Sequence, residues 1–389
     1  MVVAMADRTL MVLLLLSALL AVPAGAAPAI DGVPVFPSDH IWNARVDTLP
    51  VDPNSALYVS TIGSARTMHA DFGSGLWDGG PIGIPYVVVN GTQPKVPVSF
   101  EYGDESDPGP YPIPPDAPIE WGSDHHVLVL DRDSRLLYEV YAAERQADGS
   151  WRAGSGAVFD LAGYGLRPDG YTSADAAGLA ILPGLVRYDE VVAGTIAHAI
   201  RFTAPETRRA YVWPARHFAS SLTAARYPPM GQRFRLRADF DTSSFSPEVR
   251  TILRALKEYG IILADNGSSW YLSGAPDPRW DNDHLAEFGR VPGSAFEAVD
   301  VSSLMDDPDS GRALPRIVAV PGGVDLSTDT NADGLYDDVN GNGRADFADI
   351  VLYFNEMAWI AANEPVTAFD CNGNTRIDFA DVVRLFNHL

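Results

Sequence analysis

The strongest chemical signal in the sequence is a run of oxygen-bearing side chains near the C-terminus. Counted from Asp338, they fall at positions 1, 3, 5, 9 and 12 of a 12-residue loop, with Gly343 at position 6. Calcium takes about six to eight oxygen ligands, and such a loop supplies them together with the backbone carbonyl of position 7. We therefore predict a calcium loop whose ligands are Asp338, Asn340, Asn342, the carbonyl of Arg344, Asp346 and Asp349.

The same pattern returns 32 residues later. The second set of predicted ligands is Asp370, Asn372, Asn374, the carbonyl of Arg376, Asp378 and Asp381, with Thr375 in place of the glycine. Each loop runs into an apolar helical stripe at i, i+3, i+4 and i+7. The two stripes are Phe347, Ile350, Val351, Phe354 and Phe379, Val382, Val383, Phe386. Repetition of both ligands and apolar phase favours a duplicated calcium unit over two solvated acidic turns.

An acidic segment precedes the first loop and alternates oxygen ligands in the same way. Its residues Asp329, Asn331, Asp333 and Asp337 are candidate ligands for a further ion. Residues 325–389 carry a net charge of −9. Because like charges at this density repel, we expect calcium to be a folding ligand of this region.

Residues 325–389 resemble a dockerin, a calcium-folded module that anchors secreted enzymes. Aspartate at position 12 of both loops, at Asp349 and Asp381, agrees with the resemblance. The resemblance implies a small all-α module and a cohesin-like or cell-surface partner.

The N-terminus has the features of a signal peptide. Arg8 precedes an apolar run at residues 10–22, and Pro23 and a small-residue segment ending at Ala27 follow. This order of basic, apolar and small residues is typical of export signals, and the run is shorter than a membrane span. We predict a signal peptide at 1–27, a secreted protein with an extracellular or cell-surface location, and no membrane span in the mature chain; the alternative is an uncleaved N-terminal anchor.

Residues 28–302 contain many short apolar runs separated by turn residues, which predict a β-rich domain. Hairpins are expected at 86–102, 126–142 and 261–273, and further strands at 199–203, 209–213 and 233–240. One helix is expected between Ser246, a candidate cap, and Gly260. The predicted fold class is α+β: a β-sandwich or jelly-roll-like main domain with one packed helix, followed by a linker at 303–324 and the module at 325–389.

Candidate catalytic residues in this middle region are polar groups within apolar or glycine-rich segments. His69 and Asp71 share a face if that segment is extended, whereas His126 and its neighbour His125 point to opposite faces. Glu120 and Asp281 are further carboxylates that could pair. The candidate catalytic residues are His69, Asp71, Asp124, His126, Asp175, Glu190 and His217. For each of them, a capped turn or a histidine bound to a carbonyl is the simpler interpretation.

Charge and composition exclude several classes of function. The formal net charge of −23 argues against nucleic acid and anionic membranes as partners. A single cysteine, Cys371, excludes an internal disulfide framework. Three short runs, 111–115, 173–178 and 277–281, make residues 35–300 similar to a domain of secreted bacterial and archaeal proteins, a resemblance that transfers no catalytic residue.

Three hypotheses follow for the function. The first is an extracellular carbohydrate-active enzyme, a glycoside hydrolase or polysaccharide lyase, because aromatic faces and paired carboxylates are what a sugar site needs. The second is a non-catalytic surface or carbohydrate-binding protein attached through the module. The third is another secreted hydrolase, such as a peptidase or esterase, for which the sequence offers no nucleophile motif.

Overall fold

The computed structural model describes residues 27–314, 319–331, 333–374 and 376–389, which form two compact units, 27–314 and 319–389. The predicted signal peptide, apart from Ala27, and Thr375 of the second loop lie outside the described residues. Within the described residues, no helix is both long and apolar enough to cross a membrane. The protein is α+β, as the sequence predicted.

The strands of the described chain all lie in the larger unit. They are β1 (Ala29–Ile30), β2 (Val33–Pro34), β3 (His69–Asp71), β4 (Leu76–Trp77), β5 (Gly80–Pro81), β6 (Tyr86–Val89), β7 (Val98–Phe100), β8 (Val127–Asp131), β9 (Leu136–Tyr141), β10 (Glu144–Arg145), β11 (Trp151–Ala153), β12 (Ser155–Asp160), β13 (Ile200–Ala204), β14 (Arg233–Leu236), β15 (Ile261–Asn266), β16 (Tyr271–Ser273) and β17 (Phe296–Val299).

The α-helices of the described residues are distributed over both units. They are α1 (Ser55–Ile62), α2 (Tyr188–Ala193), α3 (Pro247–Glu258), α4 (Asn282–Leu285), α5 (Phe347–Asn363), α6 (Val366–Phe369) and α7 (Phe379–Phe386). Single turns of 3-10 helix lie at Leu182–Gly184, Ala286–Arg290, Gly293–Ala295 and Ser302–Leu304.

Two mixed sheets organise the larger unit. A six-stranded sheet has the order β17-β14-β15-β13-β16-β3, and a four-stranded sheet has the order β12-β9-β8-β6. Side chains alternate across β8, so that Leu128 and Leu130 pack in the main core with the six-stranded sheet, while Val127 and Val129 pack in a second core. Both faces of the four-stranded sheet are therefore covered, which explains the continuous apolar runs of its strands.

Strand pairing differs from the sequence prediction at two of the three hairpins. β8 and β9 form the antiparallel hairpin expected at 126–142. β6, however, pairs in parallel with β8, and β13 lies between β15 and β16. Local turn residues do not exclude insertion of a distant strand, which is why the other two predictions were wrong. The parallel pairs also differ from the antiparallel strands of a jelly roll.

Helix α3 confirms the helix that was expected between Ser246 and Gly260. Its buried stripe packs against β14. The expected cap is not made, because the Ser246 hydroxyl has no hydrogen-bond partner, and its backbone N–H donates to Glu287 instead. Gly260 ends the turn after the helix at φ +68°, and a Cβ there would lie 2.1 Å from the Phe234 carbonyl oxygen. Only glycine fits this position.

Most of the segment that we assigned to a linker belongs to one unit or the other. Leu304 and Ala313 are buried in the larger unit, and Arg216 binds the Asp309 carboxylate at 2.6 Å. Val320 belongs to the core of the smaller unit, which is built mainly on α5, α6 and α7. Residues 315–318, between the two, lie outside the described residues.

Candidate functional site

The first predicted calcium loop, 338–349, is closed by bonds from its own backbone to two buried carboxylates. The Asp338 carboxylate accepts from the N–H groups of Asn342 at 2.9 Å and Gly343 at 2.8 Å. The Asp349 carboxylate accepts from the N–H groups of Asn340 and Asp346, both at 2.8 Å. The side chains at positions 1 and 12 thus both bind backbone N–H groups within the same loop.

The second predicted loop, 370–381, repeats this arrangement. Asp370 accepts from the Asn374 N–H at 3.0 Å, and Asp381 accepts from the N–H groups of Asn372 at 3.1 Å and Asp378 at 2.7 Å. In both loops the residue at position 9 caps the following helix, Asp346 for α5 and Asp378 for α7. The duplication seen in the sequence is therefore also a duplication of geometry.

The acidic segment before the first loop has a similar turn. Asp329 accepts from the N–H groups of Asp333 at 3.3 Å and Gly334 at 2.8 Å, and Asn331 accepts from the same Asp333 N–H at 2.9 Å. Asp337 accepts from the N–H and hydroxyl of Thr330, both at 2.8 Å. This segment therefore shares the first half of the loop pattern.

The donor set of the two loops suits calcium, because it consists of carboxylate, amide and carbonyl oxygens. Burial raises the pKa of Asp349; two backbone N–H bonds oppose this shift, and the charges of Asp338 and Asp346 add to it. Burial likewise raises the pKa of Asp381; two backbone N–H bonds oppose the shift, and the charges of Asp370 and Asp378 add to it. A bound divalent cation would relieve this repulsion.

In the larger unit, Glu120, Asp124 and His126 meet at one point. One ligand atom of each lies within 4.8 Å of the others. The His126 ring binds the Glu120 carboxylate through Nδ1 and donates from Nε2 to the Ala174 carbonyl at 3.0 Å. Burial alone would lower the pKa of His126, but the Glu120 charge raises it to about 9. The same contact holds the pKa of Glu120 below its ordinary value, although burial opposes this.

A buried guanidinium lies next to this cluster. Arg201 on β13 donates to both oxygens of Asp175 at 2.8 Å, to Asp265 at 3.1 Å and to the Ser273 hydroxyl at 2.7 Å. Burial raises the pKa of Asp265; Arg201 opposes the shift and Asp175 adds to it. Such a paired network fixes the ends of β13, β15 and β16 relative to one another.

Edge strand β3 brings an exposed carboxylate to the same place. Asp71 lies opposite Ser273 in the parallel pair of β3 with β16, and the His69 ring packs against the Tyr271 ring at a tilt of 34°, with centroids 4.4 Å apart. Although the residue is exposed, neighbouring atoms keep water from part of its carboxylate, and this desolvation raises the pKa of Asp71. The charges of Glu120 and Asp124 add to the shift, and His69 and Arg201 oppose it. We call Asp71, Glu120, Asp124, His126 and Arg201 the main-domain site.

Two exposed tryptophans lie beside the main-domain site. Trp121, the neighbour of Glu120, is 51% exposed, and Trp77 at the tip of the β4–β5 hairpin is 70% exposed. The Trp121 ring covers this hairpin so closely that a Cβ at Gly80 would lie 2.0 Å from its Cγ. The hairpin and the segment around Glu120 therefore present aromatic surface together.

Four of the seven candidate catalytic residues, Asp71, Asp124, His126 and Asp175, lie in or against this site. Beside them, His69 is the β3 neighbour of Asp71. Glu190 instead pairs with Arg187 and His198, and His217 binds the Ala176 carbonyl at 2.8 Å. Asp281 caps α4, as the simpler interpretation expected. These last three side chains have structural partners of their own.

Sequence reasoning did not single out Arg201 or Asp265 as functional residues: Arg201 fell in a predicted strand and Asp265 in a predicted hairpin turn. Arg201 is the cation in an otherwise apolar predicted strand, and buried charges in strands are nearly always paired. That single position was the available signal. Glu120 was noted only as one of several carboxylates, because its contact with His126 depends on the loop between them.

Comparison of the chain with family models, with curated proteins and with solved structures finds no match in any of the three.

Proposed function

We propose that this protein is a secreted calcium-binding protein whose larger unit is a carbohydrate-active enzyme, a glycoside hydrolase or a polysaccharide lyase. The two larger sheets would act as a β-sandwich-like scaffold, and the smaller unit as a dockerin-like anchoring module. The observation that carries the enzymatic proposal is Asp71. It is an exposed carboxylate of raised pKa that lies among charged side chains.

Hydrolysis and elimination of polysaccharides both require a positioned group that transfers a proton. Asp71 fits that role because desolvation of its carboxylate, aided by the charges of Glu120 and Asp124, raises its pKa and favours its protonated form. Trp77 and Trp121 offer flat apolar surface of the kind that a sugar ring covers. Together these groups support a sugar-binding site in which proton transfer takes place.

The test is a panel of neutral and acidic polysaccharides, assayed for new reducing ends and for unsaturated products. We expect Asp71→Asn to reduce the rate by about 100-fold or more, the usual contribution of a general acid or base. Asp189→Asn, which removes an exposed carboxylate that pairs with Arg279, is the matched control and should retain activity. Equal rates for both variants would remove Asp71 from the mechanism.

Calcium binding is tested by calorimetry on the full chain. We expect about two ions to bind, because the sequence repeats the ligand pattern in two loops. The double variant Asp338→Ala with Asp370→Ala removes position 1 of each loop and should abolish this binding. Unchanged affinity in the double variant would contradict the calcium assignment. A third ion that is lost with Asp329→Ala would assign the lead-in segment 329–337 as well.

An exposed apolar face on the smaller unit supports a protein partner. Only Ile350 and Val382 of the two predicted stripes are buried, whereas the other six side chains are exposed: Phe347, Val351, Phe354, Phe379, Val383 and Phe386. Phe347 meets Phe386 at 6.3 Å and Phe354 meets Phe379 at 5.8 Å between ring centroids, so the duplicated helices contribute equally. Exposed apolar patches of this kind mark interaction sites.

We propose a cohesin-like domain on the cell surface as the partner of this face. Phe354→Ser with Phe379→Ser should weaken binding to a cohesin domain at least tenfold in calcium. Val192→Ser, an exposed apolar residue of the larger unit, is the control. No binding of the unaltered protein by a panel of cohesin domains would contradict this partner.

The exposed tryptophans also favour a second candidate, a non-catalytic carbohydrate-binding protein. In that case Trp121→Ala should weaken glycan binding, and Asp71→Asn should leave it unchanged. Absence of any cleavage product in the polysaccharide panel, together with this binding pattern, would favour the second candidate.

A further inference from the structure

We infer that Glu120, Asp124 and His126 form a binding site for a first-row divalent transition metal, distinct from the calcium loops of the smaller unit. One ligand atom from each residue lies within 4.8 Å of the others, a separation that a single ion can bridge. The inference goes beyond the proposed function, because metal binding requires no polysaccharide.

The orientation of His126 is that of a metal ligand. Its Nε2 donates to the Ala174 carbonyl at 3.0 Å, and its Nδ1 is bonded to the Glu120 carboxylate, so a metal ion would replace the Nδ1 proton, which is released to solvent. Histidine ligands usually donate their other ring N–H to a carbonyl or carboxylate, and this bond fixes the ring and the tautomer. The side chain is 2% exposed, so packing also holds the ring in place.

A second histidine–glutamate pair in the same unit has a guanidinium beside its carboxylate, which the Glu120–His126 pair lacks within the described chain. His198 binds Glu190 at 3.2 Å, and Arg187 also binds that carboxylate, so the charge of Glu190 is balanced by a guanidinium. Among the described residues, no lysine or arginine lies within 4.0 Å of Glu120 or Asp124. Arg201 is occupied by Asp175, Asp265 and Ser273. In the part of the chain that the structure describes, Glu120 therefore has the His126 imidazole as its cationic partner within this distance and Asp124 has none, so a divalent cation would complete the balance.

The donor set indicates the class of metal. One imidazole nitrogen with two carboxylates suits Zn²⁺, Mn²⁺ or Fe²⁺ better than Ca²⁺, which prefers oxygen ligands alone. Three protein ligands leave at least one coordination position for water or for a substrate oxygen, as in catalytic metal sites. Asp71 on β3 interacts electrostatically with both carboxylates of this site.

The test is a Zn²⁺ titration of the full chain by calorimetry, in saturating Ca²⁺ so that the loops of the smaller unit are filled. We expect one Zn²⁺ site in the unaltered protein. Glu120→Gln and Asp124→Asn keep the shape of each side chain and should each weaken that site at least tenfold. Glu190→Gln, which alters the other histidine–glutamate pair, should leave it unchanged. A visible Co²⁺ spectrum that both Glu120→Gln and Asp124→Asn abolish would support the same ligands.

Zn²⁺ affinity that neither Glu120→Gln nor Asp124→Asn changes would overturn the inference. So would a Zn²⁺ site that disappears only in the Asp338→Ala, Asp370→Ala variant, because the metal would then belong to the smaller unit. Thermal unfolding of each variant without Zn²⁺ identifies loss of folding, and Asp124→Asn, at a half-buried position, provides the cleaner measurement. A negative polysaccharide screen beside a positive titration would refute the enzymatic proposal and leave the metal site standing.

Discussion

Both units concentrate carboxylates, but they hold them by different means. In the smaller unit, Asp338 and Asp349 accept hydrogen bonds from backbone N–H groups within their own loop. In the larger unit, Asp175 and Glu120 are bound by Arg201 and His126, which come from other parts of the chain. Backbone amides satisfy lone pairs without adding full positive charge, whereas a guanidinium also neutralises. The loop carboxylates of the smaller unit therefore keep most of their negative charge, whereas those of the larger unit are partly neutralised by Arg201 and His126.

The largest loss of folding stability is expected from replacing Arg201, the buried cation of the main-domain site. Arg201→Met leaves Asp175 buried without its ion pair, and breaking a buried pair in this way costs about 3–5 kcal/mol. The measurement is urea unfolding followed by tryptophan fluorescence, since seven of the eight tryptophans lie in the larger unit. If the free energy of unfolding falls by less than about 1 kcal/mol, Arg201 does not neutralise the buried Asp175 carboxylate as proposed.

A smaller effect is expected in the smaller unit from calcium itself. A ligand at 100 times its dissociation constant stabilises the folded state by about 2.7 kcal/mol. We therefore expect chelation to lower the melting temperature of the helical signal of the smaller unit and to leave the tryptophan transition of the larger unit in place. If chelation lowers only the melting temperature of the tryptophan transition, calcium stabilises the larger unit and not the smaller one.

Glu139 of the larger unit tests the role of backbone amides there. Burial raises its pKa to about 7 from its ordinary value of 4.5, although N–H groups of Ile181 and Leu182 bind the carboxylate. The folded state therefore retains a proton that the unfolded chain releases. The stabilisation is complete below pH 4.5, falls as the pH rises, and is lost above about pH 7.

The whole pH effect of Glu139 amounts to about 3 kcal/mol. Glu139→Gln should remove this slope, as measured by urea unfolding at several pH values between 4.5 and 8. The variant should also be less stable at low pH by about 1–2 kcal/mol. Its amide nitrogen cannot replace the oxygen that accepts from Ile181 at 2.8 Å, although the other oxygen still accepts from Ile181 at 3.0 Å and from Leu182 at 2.8 Å. An unchanged slope would show that Glu139 is ionised throughout.

The smallest effect concerns Arg376, whose carbonyl is a predicted calcium ligand and whose exposed side chain lies 3.5 Å from Asp378. Exposed ion pairs contribute about 0–1 kcal/mol. Arg376→Ala should therefore change stability by less than about 0.5 kcal/mol and calcium affinity by less than about threefold. A larger loss, measured by calorimetry, would mean that the side chain, and not the backbone carbonyl, sustains the loop.

The two units also differ in how far the sequence predicted them. Helices α5 and α7 begin directly after positions 9 of the loops, at Phe347 and Phe379, as the loop pattern required. The predicted apolar stripes were right only at Ile350 and Val382: Phe354 and Phe386 are exposed, and the buried faces of α5 and α7 include Tyr353 and Leu385 instead. Periodicity identifies the apolar face of a helix and not what covers it.

In the larger unit, single elements were predicted better than their neighbours. Helix α3 and the β8–β9 hairpin are local, and the sequence predicted both. The placement of β13 between β15 and β16, and the pairing of β3 with β16, join segments far apart in the chain. Pairing partners of this kind are chosen by burial in the finished core, which no local pattern records.

The sequence by itself determined whatever depends on neighbours along the chain: the duplicated oxygen ligands, the helix stripes, the acidic charge and the α+β class. Only the tertiary structure decided that Asp71, Glu120, Asp124, His126 and Arg201 meet, because they come from β3, β13 and the segment before β8. The physical reason is the range of the interactions. Ligand spacing and helix periodicity act over a few residues, whereas the placement of a buried charge requires partners that the whole fold brings within hydrogen-bonding distance.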